Sequence, residues 1–470
     1  MIEIYIEINR NSSISYKKQL YDTFTLKILS GELQRGEKLP SSRFLAEKLN
    51  ISRNTVMEIY DQLMAEAYVE TVKGKGTYVS DITIRSLDTM IQDKILLQED
   101  KVSVDLINFV AGTPDLNAFP KKAWLVASRK YMYDSSSELL GYDDSFGYEP
   151  LRKTLVEYLY KHKGIQCSYQ QIMMTSGTKG ALELISLFFH RDRKTVLLES
   201  PGISFAKDIF DVYGYERYPL IMDYIGINVD LLPNVNHGLI FTSSAHQFPL
   251  GGVLPIDRRQ KLIEYANEHE HYIIEDDYDS EFRYNGAPVN SLYQLSDMKV
   301  IHVGTFSQTL APALQLGYMV IPNQLLEDFQ KLSSLIHQHP NKLVQMNIYH
   351  MFISGFYEKH IYKMCKVYKR KMKLLTVNIY NTFGNSIVIY GSNVGMHIVV
   401  RFPNLIFDEQ AKKVLFDQGI GVKSTDEYNL KEEGASDAIV LGFGHLSEEQ
   451  IIEGVKRLKK AILLLKNNQV

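Results

Sequence analysis

Apolar and polar positions along the first 80 residues follow helical spacing and then strand-like spacing. Apolar residues recur every three or four positions over 20–28 and again over 56–63, with a short helical stretch between them. Ser52 stands just before the second of these runs, where a serine caps a helix N-terminus. Two β-prone runs around a glycine-containing tip follow within 68–79, which is the pattern of a hairpin. Three helices and a hairpin in this order predict a winged helix-turn-helix domain over residues 1–80.

From about residue 106 onward, short apolar runs alternate with amphipathic helical stretches. The predicted strands lie at 171–175, 196–199, 238–243, 272–276, 300–306 and 317–321. Such alternation is typical of a mostly parallel sheet covered by helices, the α/β class. A largely helical stretch follows, and the chain ends in a unit that mixes strands and helices. We therefore predict a linker over 81–105, a large α/β domain over 106–345 and a small α+β domain over 346–470.

Composition narrows the class of protein without identifying a ligand. A length of 470 residues suits two to four domains, and 52 Lys and Arg against 55 Asp and Glu give a net charge of −3. This charge excludes a chain that is basic as a whole, but it is compatible with a local nucleic-acid site. Two cysteines are too few for a disulfide framework, and the 13 histidines show no metal-ligand spacing. The histidine spacing gives no reason to expect a metal site. Because we find no signal-like N-terminus and no apolar run of about 18 residues, we expect a cytoplasmic protein without a membrane span.

Basic side chains stand where a winged helix contacts DNA. Arg43 opens the second predicted helix, and Arg53 with Asn54 opens the third. Lys73 and Lys75 flank the tip of the hairpin. Helix N-termini supply free N–H groups to phosphates, and Arg or Asn beside them can reach base edges. The alternative is that these residues form the solvated surface of a module that binds another protein.

The segment LPSSRFLAEKLNISRNTVMEIYDQLMAEAYVETVKGKGTYV resembles the winged helix of GntR-type regulators, and the likeness extends over about 65 residues. This resemblance implies that the chain binds double-stranded operator DNA. The DNA contacts that it implies are Arg43, Arg53, Asn54, Thr55, Lys73, Lys75 and Gly76. One departure is Ala67, because the family usually has a glycine there that ends the helix in the left-handed conformation. We expect a slightly different helix ending at Ala67 and an unchanged fold.

A carboxylate cluster within 275–281 ends one of the predicted strands, and ligands collect at the carboxyl ends of strands in such sheets. From the residues alone, this cluster is a ligand site, a helix-capping cluster or a divalent-metal site. The motifs GYDDSFGYEPLR, TSGTKGALEL, SSAHQFPLGG, IIEDDYDSEFRY and GTFSQTLAPALQLGY, in this order, resemble a fold-type I aminotransferase domain. They are most similar to the domain that follows a GntR-type winged helix in the MocR-type regulators. The cofactor that this resemblance implies is pyridoxal 5′-phosphate.

The resemblance also implies a role for individual residues around this cofactor. Asp276 would pair with the pyridine nitrogen, and Tyr278 would hydrogen-bond the 3′ oxygen. His246 and Gln247 would lie beside the ring. The phosphate would be held by a helix N-terminus, by a hydroxyl and by a residue of the partner subunit, namely Gly177, Thr178, Lys179, Thr305 and Tyr142.

Three positions depart from the family pattern around the same ligand. The lysine that forms the Schiff base is Gln308 here, and a primary amide is a poor nucleophile that cannot form this imine. The phosphate-binding arginine is Gln315, and Ile203 stands where the family usually has tyrosine. A substitution introduced to trap a ligand, or a sequence error, could account for one of these changes. Three changes around the same ligand favour natural degeneration of the site. We predict that the domain does not transfer amino groups and that any bound cofactor is held without a covalent bond.

These expectations describe a homodimeric transcription regulator. The winged helix would bind operator DNA, and the aminotransferase-like domain would serve dimerisation and the sensing of a small-molecule effector. One alternative is an aminotransferase with a DNA-binding appendage, which needs an imine-forming lysine such as Lys179 or Lys207. A second alternative is a dimerisation module that binds no ligand.

Overall fold

A computed structural model describes residues 15–72, 74–80, 105–134, 141, 144–286, 289–336, 340–430 and 436–468. The chain forms two compact units, Met1–Val102 and Ser103–Val470. Most of the predicted linker, together with Lys73 and Tyr142, lies outside the described residues. Within the described ranges, the helices are all too short or too polar to cross a membrane.

The first unit is the predicted winged helix-turn-helix. Its elements are α1 (Tyr16–Leu29), α2 (Ser42–Leu49), α3 (Arg53–Ala65), β1 (Val69–Val72) and β2 (Gly76–Val79), and the two strands pair antiparallel. Serines begin the second and third helices, because Ser41 Oγ accepts a hydrogen bond from Phe44 N at 3.2 Å and Ser52 Oγ accepts one from Thr55 N at 3.1 Å. The core of this unit is built from the helical apolar faces and includes Phe24.

The end of α3 differs from the expectation. Ala67 itself adopts the left-handed conformation, with φ at +61°. The N–H of Tyr68 donates to the carbonyl of Leu63 at 2.9 Å, and the N–H of Ala67 donates to that of Met64 at 3.0 Å. These are the two hydrogen bonds of a Schellman ending, which the family glycine would make without strain. The expected change in helix ending is therefore wrong, and Ala67 keeps the ending at a conformational cost.

The second unit contains an eight-stranded sheet. Its strands are β4 (Ile172–Thr175), β5 (Thr195–Ser200), β6 (Glu216–Asp223), β7 (Gly226–Ile227), β8 (Leu239–Thr242), β9 (Tyr272–Asp277), β10 (Val300–Thr305) and β11 (Gly317–Val320), in the order β4-β11-β10-β9-β8-β5-β6-β7. The pairs from β10 to β6 are parallel, and β11 runs antiparallel between β10 and β4. The predicted α/β sheet is thus confirmed. The strands β6 and β7 were not predicted; β6 is mostly exposed or half-buried, and its apolar run contains Pro219, a residue that is uncommon inside strands.

Helices cover this sheet and lead into a smaller one. They are α4 (Lys121–Asp134), α5 (Glu149–Lys163), α6 (Gly177–Phe189), α7 (Ser204–Val212), α8 (Ile256–Glu268), α9 (Leu326–Ile336), α10 (Lys342–Ile353), α11 (Phe356–Phe383), α12 (Glu409–Asp417) and α13 (Glu448–Asn468). The remaining strands are β3 (Ile107–Asn108), β12 (Val388–Tyr390), β13 (His397–Arg401), β14 (Ile420–Gly421), β15 (Lys423–Ser424) and β16 (Ala438–Gly442). The smaller antiparallel sheet has the order β12-β13-β16-β15, and β3 pairs with β14 in a separate two-stranded sheet.

The predicted boundary at residue 345 falls inside α10, which contributes Met346 and Met351 to the core of the large sheet. The long helix α11 passes from one core to the other. Tyr357 belongs to the large-sheet core, whereas Met364 and Tyr368 belong to the core around the small sheet.

Candidate DNA-binding surface and cofactor pocket

The N-termini of α2 and α3 lie side by side in the winged helix. Arg53 is exposed at the first position of α3, and its Nε donates to Ser42 Oγ at 3.3 Å. Arg43 and Asn54 are also exposed, so their side chains are free to reach a ligand in solution. Thr55 is half-buried, and its hydroxyl lies 2.9 Å from Ser52 Oγ. The hydroxyl of Thr55 is therefore partly used within the helix cap.

The wing carries a basic residue that sequence analysis missed. Lys75 is exposed near the tip, and Gly76 has φ at +121°, which strongly favours glycine. A β-carbon on Gly76 would also lie 2.8 Å from Cε of Lys38, whose exposed side chain crosses the wing. The conformation of its own backbone thus accounts for glycine at position 76, since the flexible end of Lys38 could move aside. Lys38 is remote in sequence from the wing, and it reaches the wing through a β-bridge to Tyr78, with its Nζ 5.9 Å from the centre of the Tyr78 ring.

The candidate cofactor site of the second unit, called the pocket below, lies at the carboxyl ends of the adjacent strands β8, β9 and β10. Asp276 near the end of β9 is buried, and Thr178 Oγ1 donates to its Oδ1 at 3.2 Å. Burial, and next the charge of Asp277, raise the pKa of Asp276 to about 8. The structure therefore joins Thr178 to Asp276, a contact that the family roles did not specify. A buried carboxyl in this state would be stabilised as an anion by a cationic partner.

The pKa of Asp277, the next residue, is shifted in the opposite direction. Nζ of the buried Lys163 lies 2.7 Å from Asp277 Oδ2 and 2.9 Å from Glu281 Oε1. Burial alone would raise the pKa of Asp277, but the ammonium of Lys163 holds that pKa below its usual value. Lys163 was not predicted as a site residue, because it ends α5 far upstream of both carboxylates and no local pattern indicates its role.

Tyr278 and His246 lie against each other, and their expected roles beside a cofactor stay predictions. The Tyr278 hydroxyl donates to the carbonyl of His246 at 2.9 Å, and the two ring centres are 5.5 Å apart. Nδ1 of His246 lies 2.7 Å from Asp279 Oδ1, while its buried Nε2 has no hydrogen-bond partner among the described residues. The amide of Gln247 is bonded within the protein. Its NH₂ group donates to Glu199 Oε2 at 3.2 Å, and its oxygen accepts a hydrogen bond from a nearby backbone N–H.

His246, Asp279 and His397 are three buried groups of the kinds that bind metals. Their candidate ligand atoms all lie within 4.8 Å of one another. Nε2 of His397 is already 3.0 Å from the carbonyl of Pro249, and Nδ1 of His246 is bonded to Asp279. Burial, with His246 beside it, lowers the pKa of His397 to about 3. These residues are far apart in sequence, so ligand spacing could not reveal the cluster. The expected lack of a metal site remains a prediction.

The start of α6 forms the candidate phosphate cradle. Gly177 begins this helix with φ at +72°, and a β-carbon there would lie 4.0 Å from Thr305 Oγ1 and from Ser307 Oγ. The structure thus brings Gly177 and Thr305 together and adds Ser307, which sequence analysis missed although it lies within the same motif. Lys179 is exposed, with Nζ 5.4 Å from the ring centre of Phe205.

The two glutamines that replace the family's basic residues differ from each other. Nε2 of Gln308 donates to the carbonyl of Gly112 at 2.8 Å, and its buried Oε1 has no hydrogen-bond partner in the part of the chain that is described. Gln315 is exposed in a turn, with φ at +45°. Asp276, the α6 start and Thr305 fit the ring nitrogen and phosphate of the implied cofactor. Gln308 does not fit its covalent attachment.

Two stretches of the chain match known protein families. Residues 16–79 match the bacterial regulatory proteins of the gntR family, and residues 104–458 match aminotransferase class I and II. Among solved structures, a multiple substrate aminotransferase from Thermococcus profundus superposes with a TM-score of 0.72 and 25% sequence identity. That alignment covers 81% of this chain and 99% of the enzyme.

Three relatives that align along nearly the whole chain are named as regulators. The chain is 32% identical to the HTH-type transcriptional regulator YdeL of Bacillus subtilis, over 97% of this chain and 98% of YdeL. It is 28% identical to the probable rhizopine catabolism regulatory protein MocR of Rhizobium meliloti, covering 98% and 96% of the two chains. It is also 28% identical to the pyridoxine biosynthesis transcriptional regulator PdxR of Corynebacterium glutamicum, covering 99% and 100%.

Proposed function

The chain belongs to the helix-turn-helix transcription regulators in which a gntR-family domain precedes an aminotransferase class I and II domain, and from this membership we propose how its two units work. The winged helix binds operator DNA as part of a homodimer. The aminotransferase-like unit binds a pyridoxal-phosphate-class ligand without a covalent bond and does not transfer amino groups.

The observation that carries this proposal is the pairing of a retained Asp276 with a changed position 308. The buried carboxyl of Asp276 is suited to a pyridinium nitrogen, because burial and neighbouring carboxylates raise its pKa and a cation would offset them. Gln308, by contrast, has no amine to form a Schiff base or to move a proton between substrate and cofactor carbons. A pocket that keeps the first group and lacks the second is suited to binding rather than to turnover.

The groups around the pocket support a ligand of the pyridoxal phosphate class. When bound, pyridoxal phosphate supplies an electron sink for reactions at an amino acid's α-carbon. In this chain Asp276 would hold the ring nitrogen, and the α6 N-terminus with Thr305 would hold the phosphate. The relative named for pyridoxine biosynthesis regulation supports a ligand of the same vitamin class.

The homodimer is supported by apolar side chains on the outside of α4. Leu125 is 60% exposed and Val126 is 51% exposed, on a helix of the aminotransferase-like unit. A second copy would remove this surface from water. It would also place two winged helices on two DNA half-sites, so direct or inverted repeats are the expected operators.

Absorbance spectroscopy tests the ligand part of the proposal. Full-length protein is titrated with pyridoxal phosphate, and a portion is then reduced with borohydride. We expect saturable binding without a reduced adduct on the protein by mass spectrometry, because borohydride fixes an imine to its lysine but reduces an unattached aldehyde to an alcohol that dissociates. A stoichiometric adduct on Lys179 or Lys207 would support the enzyme alternative, and absence of binding would support the ligand-free module. Gln308→Lys is the matched positive control for covalent attachment, provided that the phosphate site tolerates Gln315.

A concentration-dependent mobility assay tests the dimer. Removing the second unit after about residue 80 should weaken operator binding, because two half-sites are then bound by separate molecules. Equal operator affinity of the truncated and full-length chains would contradict a dimer formed through the aminotransferase-like unit.

A further inference from the structure

The amide of Gln308 has a defined orientation in the pocket. Its Nε2 lies 2.8 Å from the carbonyl oxygen of Gly112, and a carbonyl can only accept a hydrogen bond. The NH₂ end of the amide therefore faces Gly112, and the oxygen end is Oε1. A β-carbon on Gly112 would lie 3.5 Å from that nitrogen, so the glycine leaves room for the amide at ordinary contact distance.

Oε1 of Gln308 is left with an unused capacity to accept. It is buried and has no hydrogen-bond partner within the described ranges. A buried acceptor without a donor is unfavourable, and a ligand that brings a donor to it gains affinity relative to one that does not. This oxygen is thus a feature by which the pocket can distinguish ligands of similar shape.

Position 308 is the one from which the family lysine reaches the C4′ carbon of the cofactor. Resting on the proposed function, we infer that Gln308 makes this pocket selective for pyridoxamine 5′-phosphate, the amine form, over pyridoxal 5′-phosphate, the aldehyde form. An ammonium at C4′ offers three donors and no acceptor, so it can satisfy Oε1. An aldehyde oxygen offers only lone pairs and would face the lone pairs of Oε1.

The other contacts do not distinguish the two forms. Asp276 is suited to the ring nitrogen, and Gly177 with Thr305 is suited to the phosphate; both groups are present in either form. Selectivity at C4′ therefore depends on position 308, which makes it separable from binding as such.

The test compares ligands that differ only at C4′, by calorimetry on the full-length chain. Pyridoxamine 5′-phosphate presents an ammonium there, and 4-deoxypyridoxine 5′-phosphate presents a methyl group; neither can form a Schiff base with a lysine. We expect the amine to bind on the order of tenfold or more tightly than the methyl analogue, the range of a charge-assisted hydrogen bond. The aldehyde, checked by mass spectrometry for lysine adducts, should bind no more tightly than the methyl analogue.

Variants assign the selectivity to the amide oxygen. Gln308→Met keeps the length of the side chain and removes the acceptor, so the two affinities should become nearly equal. Gln308→Glu keeps an acceptor and adds charge, so the preference for the amine should persist or grow. Gln330→Met, at an exposed position on α9, is the matched control and should leave the ratio unchanged. Circular dichroism checks that each variant is folded.

The outcomes separate this inference from the proposed function. Equal affinity of wild-type protein for the amine and the methyl analogue overturns the inference and leaves non-covalent binding intact. A preference that survives Gln308→Met also overturns it, because the oxygen is then not its source. If none of the ligands binds, both the inference and the ligand part of the proposed function are wrong.

Discussion

The candidate binding groups on the winged helix are exposed to solvent, whereas those in the pocket are buried and interact with one another. Arg43, Arg53 and Lys75 are exposed, and the guanidinium of Arg53 makes one hydrogen bond to a neighbouring helix. In the pocket, Asp276 and Asp277 are buried side by side, and their pKa values are shifted in opposite directions. Changing an exposed group should therefore alter binding alone, whereas changing a pocket group should also alter stability and its dependence on pH.

The largest effect is expected at Lys163. Lys163→Met removes the ammonium between Asp277 and Glu281 and leaves two buried carboxylates without it. Breaking a buried ion pair in this way costs about 3–5 kcal/mol. In the parent protein the pKa of Asp277 is lowered, so its stabilising effect is present above the unfolded pKa and lost as the pH falls. Urea unfolding should therefore show a loss that is large at pH 7 and smaller in acid.

Lys161→Met is the control for this prediction. Lys161 lies on the same helix, is largely exposed and pairs with Glu358 at 2.9 Å. Exposed ion pairs contribute little, so this variant should unfold at nearly the parental urea concentration. Equal losses at both positions would mean that burial does not decide the role of the pocket lysine.

Asp276 should produce the next largest effect, with the opposite dependence on pH. Its pKa is raised to about 8, so its contribution to stability is present below the unfolded pKa and is lost as the pH rises through about 8. Asp276→Asn removes this titration and should make the ligand-free protein relatively more stable with increasing pH, by a few kcal/mol near pH 8. The same variant should weaken binding of a pyridinium ligand.

Thermal unfolding of both proteins between pH 5 and 9 measures this difference. Asp208→Asn, at an exposed position on α7, serves as the control and should show a flat difference from the parent. A flat difference for Asp276→Asn as well would show that the carboxyl titrates normally in the folded chain.

On the winged helix, Arg53→Ala should reduce operator affinity without reducing stability. Loss of an arginine contact to a base costs about 1–3 kcal/mol, which is roughly 5- to 150-fold in affinity. Fluorescence anisotropy at fixed salt is the measurement, because phosphate contacts depend strongly on salt. Lys18→Ala, on α1 and paired with Asp22, is the matched loss of a positive charge and should change affinity far less. Equal losses would contradict the prediction that Arg53 at the start of α3 contacts DNA.

The same contrast explains what the sequence could predict. Helix caps such as Ser52 bond three residues away, and the strands β8 to β10 are short apolar runs, so local patterns suffice to locate them. The contacts that define the pocket are remote: 196 residues separate Gln308 from Gly112, and 98 separate Thr178 from Asp276. Periodicity carries no information about such pairs. The resemblance identified Asp276 and Gln308, but neither Lys163 nor the orphaned amide oxygen.

The smallest predicted effect concerns Ala67, where the winged helix departs from its family without changing shape. Ala67→Gly relieves the left-handed strain of a β-carbon but adds flexibility to the unfolded chain, so the net gain should be only about 0.5–1 kcal/mol. Hydrogen exchange of the amides at the end of α3 in the full-length chain reports this gain. Ala65→Gly, two residues earlier and inside the helix, should have the opposite sign. Because neither residue is expected to contact DNA, operator affinity should stay constant in both. A gain in stability with unchanged affinity would show that stability and DNA binding can be changed separately in this unit. In the pocket, by contrast, Asp276→Asn is expected to change stability and ligand binding together.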